Sequence, residues 1–368
     1  MWNKLSVLII FLLLLGCSSD KDDPKTEDTL KIWVSSNEAE AGSEILFKIE
    51  GNAPDNISKV NWAFGDLTKS EGRETKHIFS KPGKYKVIAT IVFSNGTESK
   101  KGLEIYSFYP EIGENTRQSL LNRIKENSAL ICGHRGFGKF AAENSLAAFR
   151  LAAEKGVDMI EIDIRASKDG NLVIMHDASI NRTTNGEGNV SQLTYAELSS
   201  SFLYNGGSLT TERIPLLTEA LEVARGKLYI DIDVKSSHLR ETYEMIKMYG
   251  MLNQVLFTVY DSQTNKQLLN MDKNILIMPI IYEMKDLTDY LAINPNLTIA
   301  QFNSKGFTDE IVNKAHEMNV SIFKNTYVNT SKTPASDNYN EVKDFIAKKG
   351  KIIQSDHPEE LKVYFSSL

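Results

Sequence analysis

The sequence predicts an α/β fold, an irregular (β/α)8 barrel of the TIM type preceded by a small all-β sandwich, and three observations carry that expectation. From Leu130 onward, short runs rich in Ile, Leu, Val and Met recur between amphipathic stretches, as buried parallel strands alternate with covering helices. Before Tyr106 the runs are short and alternating, with Gly65-Asp66, Pro82-Gly83 and Asn95-Gly96 as turn signals between them. The later region, about 250 residues, is the usual size of one such barrel.

The first element is Lys4 followed by an apolar run from Leu5 to Leu15, broken only by Ser6. It is too short for a spanning helix and has the form of a cleaved signal peptide, residues 1–16. The tetrad Leu14-Leu15-Gly16-Cys17 resembles a bacterial lipobox, in which Cys17 becomes the lipidated first residue of the mature protein. The acidic run Ser18-Ser19-Asp20-Lys21-Asp22-Asp23 resembles the surface-export signal of some Gram-negative lipoproteins, and residues 17–29 then form an acidic linker. These resemblances imply a membrane contact through a lipid anchor, in the outer membrane of a Gram-negative bacterium and exposed at its surface. Cysteine use agrees: Cys17 and Cys132 are the only two, so no disulfide framework supports the fold. Cys132 sits inside an apolar run and reads as a small core residue. A net charge of −6 over 368 residues argues against nucleic acid as a partner.

Residues 30–107 are expected to form the sandwich, with strands near Ile45–Ile49, Lys59–Phe64 and Tyr85–Phe93. Trp62 and Tyr85 read as core packing, with contact to a glycan or a protein as the minority alternative, and His77 reads as structural. Residues 108–128 are a linker with a helix over Thr116–Lys125, which either joins the domains or caps the barrel floor. In residues 129–368 nine apolar runs read as strands, one more than a barrel needs: Leu130–Cys132, Met159–Ile164, Leu172–Met175, Leu228–Val234, Val255–Thr258, Ile275–Ile281, Leu297–Gln301, Val320–Lys324 and Lys351–Gln354. The link between Ile164 and Leu172 is too short for a parallel crossover, and Asp169-Gly170 is a hairpin signal, so a tight turn is expected there. Helices are expected at Ser145–Lys155, Leu217–Ala224 and Glu241–Tyr249, and Ala178–Leu217 reads as an insertion with little strand periodicity.

The chemistry collects at strand ends. Loops after the strand C-termini of α/β barrels carry the site, so His134, Arg135, Glu161, Asp163 and His176 would point into one mouth. Glu161 and Asp163, two apart on a strand, share a face, and a buried carboxylate pair calls for a compensating divalent cation. Asp231, Asp233 and Lys235 are same-face candidates from a neighbouring strand. Asp231 is as readily a structural carboxylate as a functional one, His238 and His316 read as non-catalytic, and His357 is a minority candidate for the mouth.

These residues resemble the glycerophosphodiester phosphodiesterase (GDPD) family. The motifs that carry the resemblance are Gly133-His134-Arg135-Gly136, Glu143-Asn144-Ser145, Glu161-Ile162-Asp163, Lys168-Asp169-Gly170, His176-Asp177, Asn181-Arg182-Thr183-Thr184, Ile214-Pro215, Asp233-Val234-Lys235 and Ser355-Asp356-His357-Pro358. It implies Glu161, Asp163 and Asp233 as ligands of one Ca²⁺ or Mg²⁺, His134 and His176 as general acid and base, and Arg135 and Lys235 as phosphate-binding groups. Glu143 would orient His134 or Arg135, Asn144 would complete the metal or substrate shell, and Arg182 would fix the insertion through hydrogen bonds. The implied substrate is a small glycerophosphodiester, a deacylated phospholipid head group, cleaved to glycerol 3-phosphate and an alcohol. Within the same chemistry the alternatives are release of an inositol phosphate or cleavage of an intact lipid. A surface binding lipoprotein with a degenerate barrel is the alternative outside it, and retention of both histidines and three carboxylates weighs against that. Two departures stand out: Asp233-Val234-Lys235 replaces the usual Glu-x-Lys, and Asn325-Thr326 replaces Trp-Thr, removing an aromatic wall. Trp62-Ala63-Phe64-Gly65-Asp66 and His77 to Val87 resemble the polycystic kidney disease (PKD) type of immunoglobulin-like sandwich.

Overall fold

The structure, a computed structural model, describes residues 29–367 except 52–55, 114–117, 127, 139 and 327–338. The expected signal peptide, Cys17 and nearly all of the acidic linker lie outside the described residues. Among the described residues no helix is long and apolar enough to cross a membrane. The chain divides into two compact units: residues up to Ser35 with Ile45–His77 and Lys86–Leu103, and Ser36–Glu44 with Ile78–Tyr85 and Glu104 onward.

In the first unit, alternation decides the packing. Strand Ile57–Ala63 pairs antiparallel with Gly83–Phe93, setting Val60 opposite Ile91 and Trp62 opposite Ala89. These four side chains, with Ile45, Phe47 and Phe64, are buried, while the residues between them face outward or stand half-buried. Trp62 is 1% exposed, lies against the rings of Phe47 and Phe64, and donates its indole N–H to the Gly72 carbonyl at 2.8 Å. His77 stacks on Phe64 and pairs with Asp66 at 2.7 Å, a structural contact as expected. In the second unit Tyr85 is half-buried rather than core, stacked on Phe79.

The second unit contains a closed barrel of eight parallel strands. In chain order they are Leu130–Gly133, Met159–Ala166, Tyr229–Val234, Val255–Val259, Ile277–Ile281, Ile299–Phe302, Ser321–Asn325 and Ile352–Ser355. The last pairs with the first, and the first with the second, which closes the ring. The surplus run is accounted for: Leu172–Ile174 folds back antiparallel on Ile164–Ala166 through a turn in which Gly170 has φ +81°. Helices Leu146–Glu154, Leu217–Ala224 and Leu239–Met248 stand near their expected places, the first capped by the Ser145 side chain at Ala148 N–H.

Along each strand the pleat sends alternate residues to two different environments. Ile160, Ile162, Ile164, Ile230 and Ile232 pack outward in the large core with the helices. Met159, Tyr229, Leu130, Cys132, Leu256, Met278, Ile299, Phe323 and Ile352 fill the inner floor of the barrel. Leu120 and Ile124 join that inner cluster, so helix Leu120–Lys125 caps the floor. Tyr229 OH and Gln254 Nε2 both donate to the Gln118 carbonyl and tie the cap down.

The insertion after Ala178 differs from expectation in one respect. Phe202–Asn205 and Ser208–Arg213 form a hairpin whose turn, Gly206-Gly207, has positive φ at both residues. The Asn205-Gly206-Gly207 run is the hairpin signal for such a turn. It is carried by turn residues, whereas the flanking strands are half-exposed and lack an apolar alternation.

The turn after the first barrel strand sets a steric limit. Gly136 has φ +98°, and a Cβ there would lie 2.8 Å from Ala148 Cβ and 3.0 Å from Phe149 Cδ1; at Gly170 nothing lies within 4 Å. Gly136→Ala is expected to cost the backbone strain plus about 1–3 kcal/mol of overpacking. Gly170→Ala should cost only the backbone strain, on the order of 1–2 kcal/mol. Urea denaturation of both variants checks the difference; an equal shift of the barrel transition would contradict it.

Candidate active site

The register of the second and third barrel strands builds the site. Glu161 stands beside Asp231 and Asp163 beside Asp233, all on the inward face one and two pleats above the apolar floor of Met159 and Tyr229. Continuing the same alternation, His134, Lys235, Thr258, Tyr260, Gln301, Asn325 and Gln354 bring polar atoms to the C-terminal end of the barrel, where with His176 they line one cavity. The structure thus gathers His134, His176, Glu161, Asp163, Asp233 and Lys235 at one place, with Arg135, Glu143 and Asn144 against its side.

Glu161, Asp163 and Asp233 are all buried, and one oxygen from each lies within 4.8 Å of the others. Burial, reinforced by Asp163, Asp233 and Asp231, pushes the Glu161 carboxyl well above its usual range. Burial likewise pushes Asp231 up to about 8, against the opposing hydrogen bond from Thr258 Oγ1 at 2.7 Å. The compensating groups are sparse. The Arg135 backbone N–H donates to Glu161 at 3.0 Å, Asn144 Nδ2 donates to Asp163 at 2.9 Å, and Lys235 Nζ lies 3.4 Å from Asp163 and contacts Asp233. Asp163 Oδ1 and Asp233 Oδ1 are buried and accept no hydrogen bond. With Asp163 Oδ1 facing only the Lys235 ammonium at 3.4 Å and Asp233 Oδ1 accepting no hydrogen bond among the described residues, this oxygen-only donor set fits a hard divalent cation.

The two histidines are held alike. Each presents Nδ1 to a carboxylate at 2.6 Å, His134 to Asp356 and His176 to Asp177. A carboxylate only accepts, so Nδ1 carries a proton in each ring, and the carboxylate fixes the orientation of the imidazole. The His176 carbonyl is fixed by Arg165, whose Nε and Nη2 donate to it at 3.0 and 2.7 Å.

Arg135 and Asn144 both adopt φ +56°, rare for side chains other than glycine. The Asn144 N–H donates to the Arg135 carbonyl at 2.9 Å, and this left-handed pair turns the chain so that both side chains reach Asp163. Glu143 takes Arg135 Nη1 at 2.8 Å and so orients Arg135, the second of its two expected targets. Burial raises the Glu143 carboxyl, but hydrogen bonds and charge from Arg182 and Arg135 outweigh it and hold it at about 2.

Several residues escaped the sequence reading. Asp356, not His357, serves the site, by holding His134 Nδ1 from outside the cavity lining; His357 is buried, also outside the lining, its Nδ1 3.7 Å from Glu359. The signal was parity: Gln354 lines the cavity at the end of the last strand and Asp356 follows two residues later. His357, Glu359 and Glu360 also cluster, at the start of helix Pro358–Ser366, where acidic side chains complement the N-terminal partial charge. Tyr260 was also missed; it stands at the mouth, 54% exposed, donating its hydroxyl to Asp233. It supplies an aromatic face just past the end of strand Val255–Val259, away from Asn325, which lines the cavity where the family's Trp would stand. His238 and His316 lie outside the cavity, His316 bound to the Lys348 carbonyl.

Comparison with known proteins agrees with this geometry. The model of the glycerophosphoryl diester phosphodiesterase family matches residues 134–293, and that of the PKD domain matches residues 29–105. A glycerophosphodiester phosphodiesterase from Bacillus altitudinis is 32% identical over 206 residues, half of this chain and 81% of that protein. One from Caldanaerobacter subterraneus subsp. tengcongensis is 33% identical over 157 residues, which cover 40% of this chain and 65% of the relative's length. A solved glycerophosphoryl diester phosphodiesterase from Parabacteroides distasonis superimposes with a TM-score of 0.60 at 28% identity, over 68% of this chain and 93% of that one. With the barrel, the cavity and these matches together, the chain belongs to the glycerophosphoryl diester phosphodiesterase family and carries a PKD domain ahead of its barrel.

Proposed function

We propose that the barrel hydrolyses glycerophosphodiesters, the deacylated head groups of phospholipids, to glycerol 3-phosphate and an alcohol, using one divalent cation, Ca²⁺ or Mg²⁺. The observation that carries this reading is the pair of histidines, each with Nδ1 bound to a carboxylate, lining one cavity with a buried three-carboxylate cluster. The names of the relatives support the substrate class. Glu161, Asp163 and Asp233 would hold the cation, which when bound neutralises charge on the phosphate and on the three carboxylates. Arg135 and Lys235 add positive charge beside the same place, Arg135 through a planar fork suited to two phosphate oxygens. One histidine takes a proton from the attacking oxygen, which belongs to water or to a neighbouring hydroxyl of the substrate, and the other gives a proton to the leaving oxygen.

For the rest of the chain the proposal is positional. Cys17 carries the lipid that holds the protein on the outer membrane, and the sandwich, whose Phe47, Trp62 and Phe64 are spent on its own core, serves as spacer or docking module.

Three outcomes are expected. Exhaustive chelation abolishes turnover of glycerophosphocholine, glycerophosphoethanolamine and glycerophosphoinositol, and Asp233→Asn weakens cation binding in calorimetry without loss of the folded circular-dichroism spectrum; turnover that survives chelation would remove the cation from the mechanism. His134→Ala and His176→Ala each lose roughly 100- to 10,000-fold in kcat, and wild-type kcat/KM follows a bell-shaped pH profile. A variant keeping a tenth of the wild-type rate would exclude that residue. Cys17→Ser ends metabolic labelling with fatty acid in cells, and persistent labelling would count against the anchor.

A further inference from the structure

Arg182 does not line the cavity, and its side chain is 48% exposed on the insertion. Its guanidinium nevertheless grips the two carboxylates on which other site groups lean. Nη1 and Nη2 donate to Oε2 and Oε1 of Glu143 at 2.8 Å each, while Nε and Nη2 donate to Oδ2 and Oδ1 of Asp177 at 2.6 and 3.1 Å. Glu143 in turn holds Arg135 Nη1 at 2.8 Å, and Asp177 holds His176 Nδ1 at 2.6 Å. The result is an unbroken chain of hydrogen bonds, Arg135, Glu143, Arg182, Asp177, His176, across the side of the site.

The loop that presents Arg182 is itself braced. The Thr184 hydroxyl donates to the Ile180 carbonyl at 2.8 Å, Asn181 Oδ1 accepts the Gly188 N–H at 3.0 Å, and Thr183 is buried. Only a planar guanidinium has enough N–H groups in a fixed fork to satisfy two carboxylates at once; an ammonium serves them as a point charge. Exposed ion pairs add little to stability. The value of this one therefore lies in geometry: without Arg182 the two carboxylates repel, and the side chains they hold lose their common anchor.

We propose that Arg182 is a positioning residue that fixes the phosphate-binding Arg135 and the proton-transferring His176 relative to one another, so that a seated insertion is a condition of catalysis. The proposal rests on the phosphodiesterase reading for the roles of Arg135 and His176, and on the hydrogen bonds above for the coupling.

The test uses the full chain with Mg²⁺ or Ca²⁺ and glycerophosphocholine as substrate, comparing Arg182→Met and Arg182→Lys with wild type. Arg182→Met should lower kcat by about 100-fold, the order of a displaced acid or base, and also raise KM because Arg135 is loosened. Arg182→Lys, which keeps charge but not the fork, should restore only a small part of that loss. The melting temperature should move by no more than a few degrees. In a His176→Ala background Arg182→Met should cost less than about three-fold more in kcat, because its effect passes through the missing imidazole. The ¹⁵N signals of the His176 ring should shift in Arg182→Met while those of His134 stay in place. Arg182→Met within about two-fold of wild-type kcat, full rescue by lysine, or a loss that multiplies undiminished on His176→Ala would each overturn the proposal. If Arg182→Met does not fold, Arg182→Lys carries the same comparisons. If wild type turns over no glycerophosphodiester, the functional reading fails on its own. The ring signals then decide the coupling: a shift confined to His176 supports it, and unchanged signals overturn it.

Discussion

The constraint on which the rest of this barrel depends is the burial of four carboxylates, Glu161, Asp163, Asp231 and Asp233, side by side on two neighbouring strands. Parallel pairing in this register leaves the chain no way to separate them. Each charge taken from water is costly, and like charges at this spacing raise the cost further. The surrounding structure is organised around meeting that cost. Asp231 is met by the Thr258 hydroxyl, Asp233 by Lys235 and Tyr260, and Asp163 by Asn144 with Lys235 and Arg135 nearby. What remains, among the described residues, is one oxygen on each of Asp163 and Asp233 that accepts no hydrogen bond, that of Asp163 facing the Lys235 ammonium alone, and this is the part of the arrangement a divalent cation suits.

The same constraint explains the backbone around the site. Bringing a cation and an amide to Asp163 from the loop after the first strand requires a sharp reversal, and the chain makes it with two consecutive departures from ordinary conformation: a left-handed Arg135 and Gly136 at φ +98° against Ala148 and Phe149. Asn144, left-handed as well, is of a residue type that tolerates the conformation. The strain is local and is held by the helix that begins at Leu146.

The two departures from the family pattern meet at one point. A carboxylate one methylene shorter at Asp233 reaches less far from its strand, and Tyr260, just past the end of the next strand, donates its hydroxyl to it. Tyr260 also puts an aromatic face at the mouth, whereas the position of the family's Trp is occupied by Asn325. The aromatic face of the cavity therefore stands on another side from Asn325.

Much of this was legible in the sequence because it depends on short-range periodicity. Strands buried on both faces announce themselves as unbroken apolar runs, a hairpin as Asp169-Gly170, and a shared face as a spacing of two, so the barrel, its surplus strand and the grouping of Glu161 with Asp163 and of Asp233 with Lys235 follow from residue order alone. The glycine-turn hairpin at Phe202–Arg213 was less legible because its strands are half-exposed and lack alternation. What only the tertiary structure decided are relations between distant segments: that Glu161 abuts Asp231, that His134 is held by Asp356, 222 residues away, and that Arg182 bridges Asp177 and Glu143. Linear order carries the chemistry of each group and the face it occupies on its own strand. Closure of the ring decides which groups become neighbours, and the burial and partners that this brings set their protonation and orientation.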